Sequence, residues 1–186
     1  MKMPFPDNTF DAAYAIEATC HAADAAECYR EILRVLKPGQ LFAAYEWCLT
    51  NSFNPHNEEH KKIKALIEIG SGLPDIRTTE QCLEGLVKAG YEVIWSKDMA
   101  GDSPVPWYSP IDTSHFSLGN FRRSAIGISL IRTIVRVLES VRLAPKGSLK
   151  VHEVLEMGGE SLTAGGRKGI FTPMFFFLAR KPHSNT

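Results

Sequence analysis

Short apolar runs alternate with helically spaced apolar positions over the first half of the chain. Residues 10–16 (FDAAYAI) follow the turn-rich segment PFPDNT at 4–9 and predict a buried strand. Ala22, Ala25, Ala26, Tyr29, Ile32, Leu33 and Leu36 then recur at helical spacing, which predicts a helix over 22–36 with Asp24 placed to cap or charge its first turn. Lys37-Pro38-Gly39 predicts its stop. A second strand is predicted at 41–47 (LFAAYEW), a second amphipathic helix at 79–89 ending on Gly90, and a third strand at 91–95 (YEVIW). This alternation predicts an α/β layer with a largely parallel sheet.

Residues 50–74 break that rhythm. They are polar first (TNSFNPHNEEHKK) and then helical (IKALIEI), and read as an insertion before the second helix. Residues 99–120 hold three prolines and predict a long irregular loop. Residues 121–143 set five arginines among Ile, Leu and Val and predict a strong helix, ended by Pro145-Lys146-Gly147. A further helix is predicted at 151–162, broken by Gly165-Gly166, and a last apolar strand at 172–180 (TPMFFFLAR).

Composition narrows the function classes. The 21 basic residues balance the 21 acidic ones, so the whole-chain basic field of a non-specific nucleic-acid binder is absent and no nucleic-acid partner is expected. No apolar run is long enough for a transmembrane helix, and the first residues lack the apolar core of a signal peptide. Cys20, Cys28, Cys48 and Cys82 show no C-x-x-C spacing, which suits reduced thiols in a cytosolic compartment.

In open α/β sheets, ligands bind beyond the carboxyl ends of the strands. Those ends carry Glu17-Ala-Thr-Cys-His21 and Glu46-Trp47-Cys48. Glu17 and His21 bracket one turn and suit general acid–base work; the plainer reading is a helix cap and a backbone hydrogen bond. Glu46 ends the neighbouring strand. It would share a pocket with Glu17 and have its pKa raised, or else be a solvated loop acid. Cys20 beside His21 suggests a nucleophile, but no third group or oxyanion hole is visible, and a buried structural cysteine is preferred.

His56-Asn-Glu-Glu-His60 matches an H-x-x-E-H pattern, yet its polar flanks favour a solvated helix face, and no metal is expected. Trp95, Trp107, Tyr108, Phe116 and Phe121 suit a flat apolar ligand or a cation, or an ordinary core under a loop. The arginine-rich helix suits an anionic membrane surface; packing on the sheet with snorkelling arginines is the preferred reading. No G-x-G-x-x-G or P-loop motif is present.

Several separate motifs together resemble one family. PFPDNTFDAAYAIEATCHA, CYREILRVLKPGQLFAAYEW, KIKALIEIGSGLPDIRTT, SPVPWY, DTSHFSL, LAPKGS and IFTPMFFFLARKP occur in order over nearly all of 1–182. They resemble the C-terminal half of plant-type sterol 24-C-methyltransferases, the cycloartenol-using branch more than the branch acting on already methylated side chains. The resemblance implies the C-terminal half of a Rossmann-like class I S-adenosylmethionine-dependent methyltransferase sheet, with residues 1–99 as a partial α/β domain and 100–182 as a sterol-specific region contributing the last strand. It implies methyl transfer from S-adenosylmethionine to C24 of a sterol side chain.

Carried over by position, Glu17, His21 and Glu46 are catalytic candidates. Tyr14, Cys20, Trp47, Glu68 and Asp75 are candidates for substrate binding, and Ile16 and Glu17 for cofactor binding. Ser71 stands where the family has an acid, and Ala23 where it has proline. The family's first three strands, its glycine-rich cofactor loop and its ribose-holding acid have no counterpart in this sequence. The expectation is therefore a fragment that binds the methyl donor weakly and is inactive alone, with strand 10–16 left as an exposed apolar edge. Surface association with a membrane, self-association, and a location in the cytoplasm or on the cytoplasmic face of the endoplasmic reticulum are further expectations. The competing reading is a non-catalytic sterol- or membrane-surface-binding module.

Overall fold

The computed structural model describes residues 2–112 and 125–183. In chain order the elements are β1 (Phe10–Ile16), α1 (Ala25–Val35), β2 (Leu36–Leu49), α2 (Glu58–Ser71), α3 (Thr79–Ala89), β3 (Glu92–Asp98), α4 (Ala125–Ser140), α5 (Ser148–Arg167) and β4 (Phe171–Arg180). One-turn 3-10 helices occupy Thr19–His21 and Met99–Asp102. The four strands form one sheet in the order β1-β2-β4-β3. β1 and β2 are parallel, while β4 lies between β2 and β3 and runs antiparallel to both. Three strands therefore share a direction, and the C-terminal strand enters the same sheet reversed.

Local chemistry explains the boundaries. Asp24 caps α1 by accepting from the Glu27 N–H at 2.9 Å, and the helix starts there because Ala22 is extended. Its other end differs from expectation: the backbone passes directly from Val35 into β2, and Lys37-Pro38-Gly39 is no separator. The register against β1 jumps from Phe10–Leu36 to Ala12–Leu41, so residues 37–40 bulge out of the ladder, with Gly39 at φ 80°. α3 begins in a reciprocal Thr78–Gln81 capping box and ends on left-handed Gly90.

The main core packs α1 and α3 on one sheet face, where Tyr29, Leu86, Phe42 and Phe177 are buried. A second core joins α2 and α5 to the strand ends through Leu49, Ile63, Ile67 and Phe171. On the opposite sheet face, Phe176 meets Tyr45 at 5.1 Å and Trp95 at 5.3 Å between ring centres, and this face is only half-buried.

Three expectations are corrected. β1 is the exposed edge strand that the resemblance implies rather than the buried strand that its apolar run predicts, with Tyr14 80% and Ile16 63% exposed and one strand neighbour among the described residues. Gly165-Gly166 does not break α5, which continues to Arg167. A Cβ on Gly166 would run into the Tyr108 and Trp107 rings, and one on Gly165 would stand 3.1 Å from the Phe171 Cβ, so these glycines make room for aromatic residues that pack on the helix. α4 packs chiefly on α5 rather than on the sheet, with an Arg132–Glu156 bond of 2.8 Å between them. Residues 113–124, including Phe116 and Phe121, lie outside the described residues. Among the described residues no helix is long and apolar enough to cross a membrane.

Candidate active site

The parallel strands β1 and β2 end side by side, and the Glu17 N–H donates to Tyr45 O at 3.1 Å. Glu17 lies in the left-handed region at φ 51°, a conformation that L side chains other than Asn and Asp rarely adopt. It turns the chain off the sheet into the Thr19–His21 turn, and its side chain is exposed at the strand end. Asp24, not Glu17, caps the helix that follows. His21 is exposed beside it, with its backbone N–H bonded to Ala18 O.

The turn is held from beneath. Glu46, 1% exposed, accepts from the Thr19 hydroxyl and from the Tyr29 hydroxyl at 2.8 Å. Burial pushes the Glu46 carboxyl above the ordinary carboxylate range, and the two hydroxyl bonds and the cationic Arg77 oppose that shift. The Arg77 guanidinium donates to Ala22 O and Thr19 O, each at 3.1 Å. Glu46 is therefore neither a solvated loop acid nor open to a reactant. Its chemistry is to fix the turn that presents Glu17 and His21. The Cys20 thiol donates to Glu17 O at 3.3 Å, and burial, followed by the Glu46 charge, pushes its pKa to about 11. That suits a structural thiol, not a nucleophile. All four cysteines are free and buried.

Trp47 follows Glu46, meets Phe171 at 5.4 Å, and keeps its Nε1–H buried without an acceptor among the described residues. Beyond Phe171 lies a cleft of about 320 Å³ lined by Pro104, Trp107, Tyr108 and Thr172. It sits at the same end of the sheet, because Phe171 at the start of β4 pairs with Leu49 at the end of β2. The strand ends thus carry an exposed acid and imidazole on one side and an aromatic cleft on the other. Glu68 and Asp75 form a separate cluster: both engage Lys64, and Glu68 also accepts from the Ile76 N–H at 2.8 Å. The predicted H-x-x-E-H pair has a local role, His60 Nδ1 accepting from the Asn54 N–H at 3.0 Å. Among the described residues no three His, Cys, Asp or Glu side chains gather as a metal set.

The supporting roles of Thr19, Tyr29 and Arg77 escaped the sequence reading. Arg77 meets the turn 55 and 58 residues away in sequence, and no local pattern marks it.

A family model described as sterol methyltransferase C-terminal matches residues 118–183, and one described as methyltransferase domain matches residues 1–44. Over residues 118–183 the chain is thus similar to the C-terminal domain of sterol methyltransferases. It is 65% identical over 182 residues to a cycloartenol-C-24-methyltransferase of Arabidopsis thaliana, covering 98% of this chain and 54% of that protein. It is 41% identical over 184 residues to 24-methylenesterol C-methyltransferase 2 of the same plant, covering 99% and 48%. The chain thus spans about half the length of the curated relatives it matches. Among solved structures, a geranyl diphosphate methyltransferase in complex with SAM superposes with a TM-score of 0.59 at 13% identity, over 97% of this chain and 54% of that one. That identity shows the fold alone, a class I methyltransferase-type sheet, as the resemblance implied.

Proposed function

We propose that this chain supplies the strand-end half of a sterol 24-C-methyltransferase site of the cycloartenol-using type, with S-adenosylmethionine as donor. The division into a partial α/β domain at 1–99 and a sterol region at 100–182 belongs to the same reading. The observation that carries it is the presentation of Glu17. In a chain with this similarity, a backbone-strained acid is exposed at the carboxyl end of β1 and its turn is fastened from below by Glu46 and Arg77.

The residues present fit the donor in part. Ile16 and Glu17 offer an exposed apolar surface and a carboxylate at the strand end, while the sequence holds no glycine-rich turn to cradle the rest. When bound, the donor supplies an electrophilic methyl group. The Glu17 carboxylate would hold positive charge at that point by electrostatic attraction. Trp47, Trp107 and Phe171 would wall off water and turn ring faces to a cation developing on the sterol side chain. Glu17 and His21 are the two groups placed to receive the proton that the side chain loses when its double bond re-forms. Tyr14 and Cys20 flank the same turn, and Glu68 and Asp75 close the neighbouring loop.

A sterol is a membrane-resident substrate, so the reading places the chain in the cytoplasm or at the cytoplasmic face of the endoplasmic reticulum, with self-association as a further expectation. Titration calorimetry with S-adenosylhomocysteine tests the incomplete cradle. Little heat is expected from the chain alone, and micromolar binding is expected once it is joined to the N-terminal portion of a plant relative. Micromolar binding by the chain alone would contradict the partial fit, and none by a folded joined protein would contradict the reading.

A further inference from the structure

α4 buries little of its apolar surface. Ile126, Leu130, Ile134, Val137 and Val141 follow helical spacing and are all exposed, from 47% at Ile134 to 72% at Ile126. Five large apolar side chains in one stripe are more than an isolated exposed residue. At the C-terminal end of the stripe, α4 and the start of α5 enclose a cleft of about 640 Å³ lined by Arg136, Arg142 and Lys146. None of the three makes an ion pair among the described residues. The acid in the cleft, Glu139, is already engaged: it accepts from the Gly147 N–H at 2.8 Å and the Leu149 N–H at 3.0 Å, and these bonds, with a smaller contribution from the Lys146 charge, hold its carboxyl below the ordinary range. Arg142 ends the helix at φ 61°, the left-handed cap position that usually takes glycine. A long cation is thus held in a strained backbone position beside the cleft.

We propose that the outward face of α4 docks on an anionic lipid surface: the stripe enters the boundary between headgroups and acyl chains, and the Arg136–Arg142–Lys146 cleft takes a lipid phosphate or carboxylate. Charge complementarity selects this occupant. A second copy of this chain would offer the stripe an apolar face but no countercharge for a cleft whose one acid is already bonded to backbone N–H groups, whereas an anionic bilayer offers both the apolar layer and the countercharge. The inference is independent of the methyl-transfer reading.

Flotation with vesicles tests it, using phosphatidylcholine alone and phosphatidylcholine mixed with phosphatidylserine. The chain is expected to float with the mixed vesicles and to release as salt is raised. The double variant Arg136→Gln/Arg142→Gln should lose roughly thirtyfold in partitioning. Leu130→Ser/Val137→Ser should lose binding with an unchanged circular-dichroism melt, because both side chains are exposed. Equal binding to neutral vesicles, no binding to either, or undiminished binding by the arginine variant would overturn the proposal. So would a concentration-dependent dimer in sedimentation velocity that the Leu130→Ser/Val137→Ser variant abolishes, since that would assign the stripe to a second copy.

Discussion

Glu46 sits in a conflict between burial and hydrogen bonding. Loss of water raises its pKa, while two hydroxyl donors and Arg77 act the other way without cancelling the shift. A carboxyl whose folded pKa is raised contributes stability that is complete below the unfolded pKa and is lost as pH rises through the folded one. Glu46→Gln keeps an acceptor for Thr19 and Tyr29 and removes the ionisation. We expect it to equal or exceed the parent in urea melts at neutral pH, with the difference vanishing in acid. Glu46→Ala leaves two buried hydroxyls without their acceptor and should cost about 1–3 kcal/mol at neutral pH. A Gln variant as unstable as the Ala variant would show that the charge itself holds the turn. The strand-end acids were legible from sequence, but their roles were not. The Glu46–Thr19 bond spans 27 residues, and only the fold reveals that one acid supports the turn while the other is presented by it.

Among the elements, β1 and α3 were legible because their signals are local: an apolar run between turns, and amphipathic spacing closed by glycine. The glycines of α5 were not, since their meaning lies in what packs on them. α2 and α5 cross where Gly70 meets Gly158, and a Cβ on Gly70 would stand 2.4 Å from the Gly158 Cα. Gly70→Ala should destabilise by about 1–3 kcal/mol through overpacking. Gly159, one residue along the same helix, has nothing within 4 Å of its would-be Cβ. Gly159→Ala should stabilise by up to about 1 kcal/mol through helix propensity alone. Thermal melts of the pair separate the two causes, and equal shifts would contradict the close crossing. The arginine-rich helix was legible as amphipathic, but its partner was not, because hydrophobic spacing says which face is apolar and not what covers it.

At the scale of the molecule, the sheet is asymmetric. β4 is paired on both sides, while β1 presents an outer edge with Tyr14 and Ile16 exposed. That edge adjoins the candidate site, so on the proposed reading the rest of the donor pocket lies on the side of Ile16 and Glu17. This is the physical content of the weak donor binding expected of the chain alone. The α/β layer was legible from the order of its elements; the reversed β4 between β2 and β3 was not, because antiparallel insertion leaves no mark on the apolar run that forms it.

The central claim is that Glu17, held by its fastened turn, acts where donor and sterol meet. The most direct test is cycloartenol turnover by this chain joined to the N-terminal portion of a plant relative, with Glu17 intact and as Glu17→Gln. The account predicts a C24-methylated sterol from the parent and a loss of at least about a hundredfold in kcat from the variant, on the order of what one preorganised charge contributes, with the melt unchanged. Turnover by Glu17→Gln equal to the parent's would contradict it.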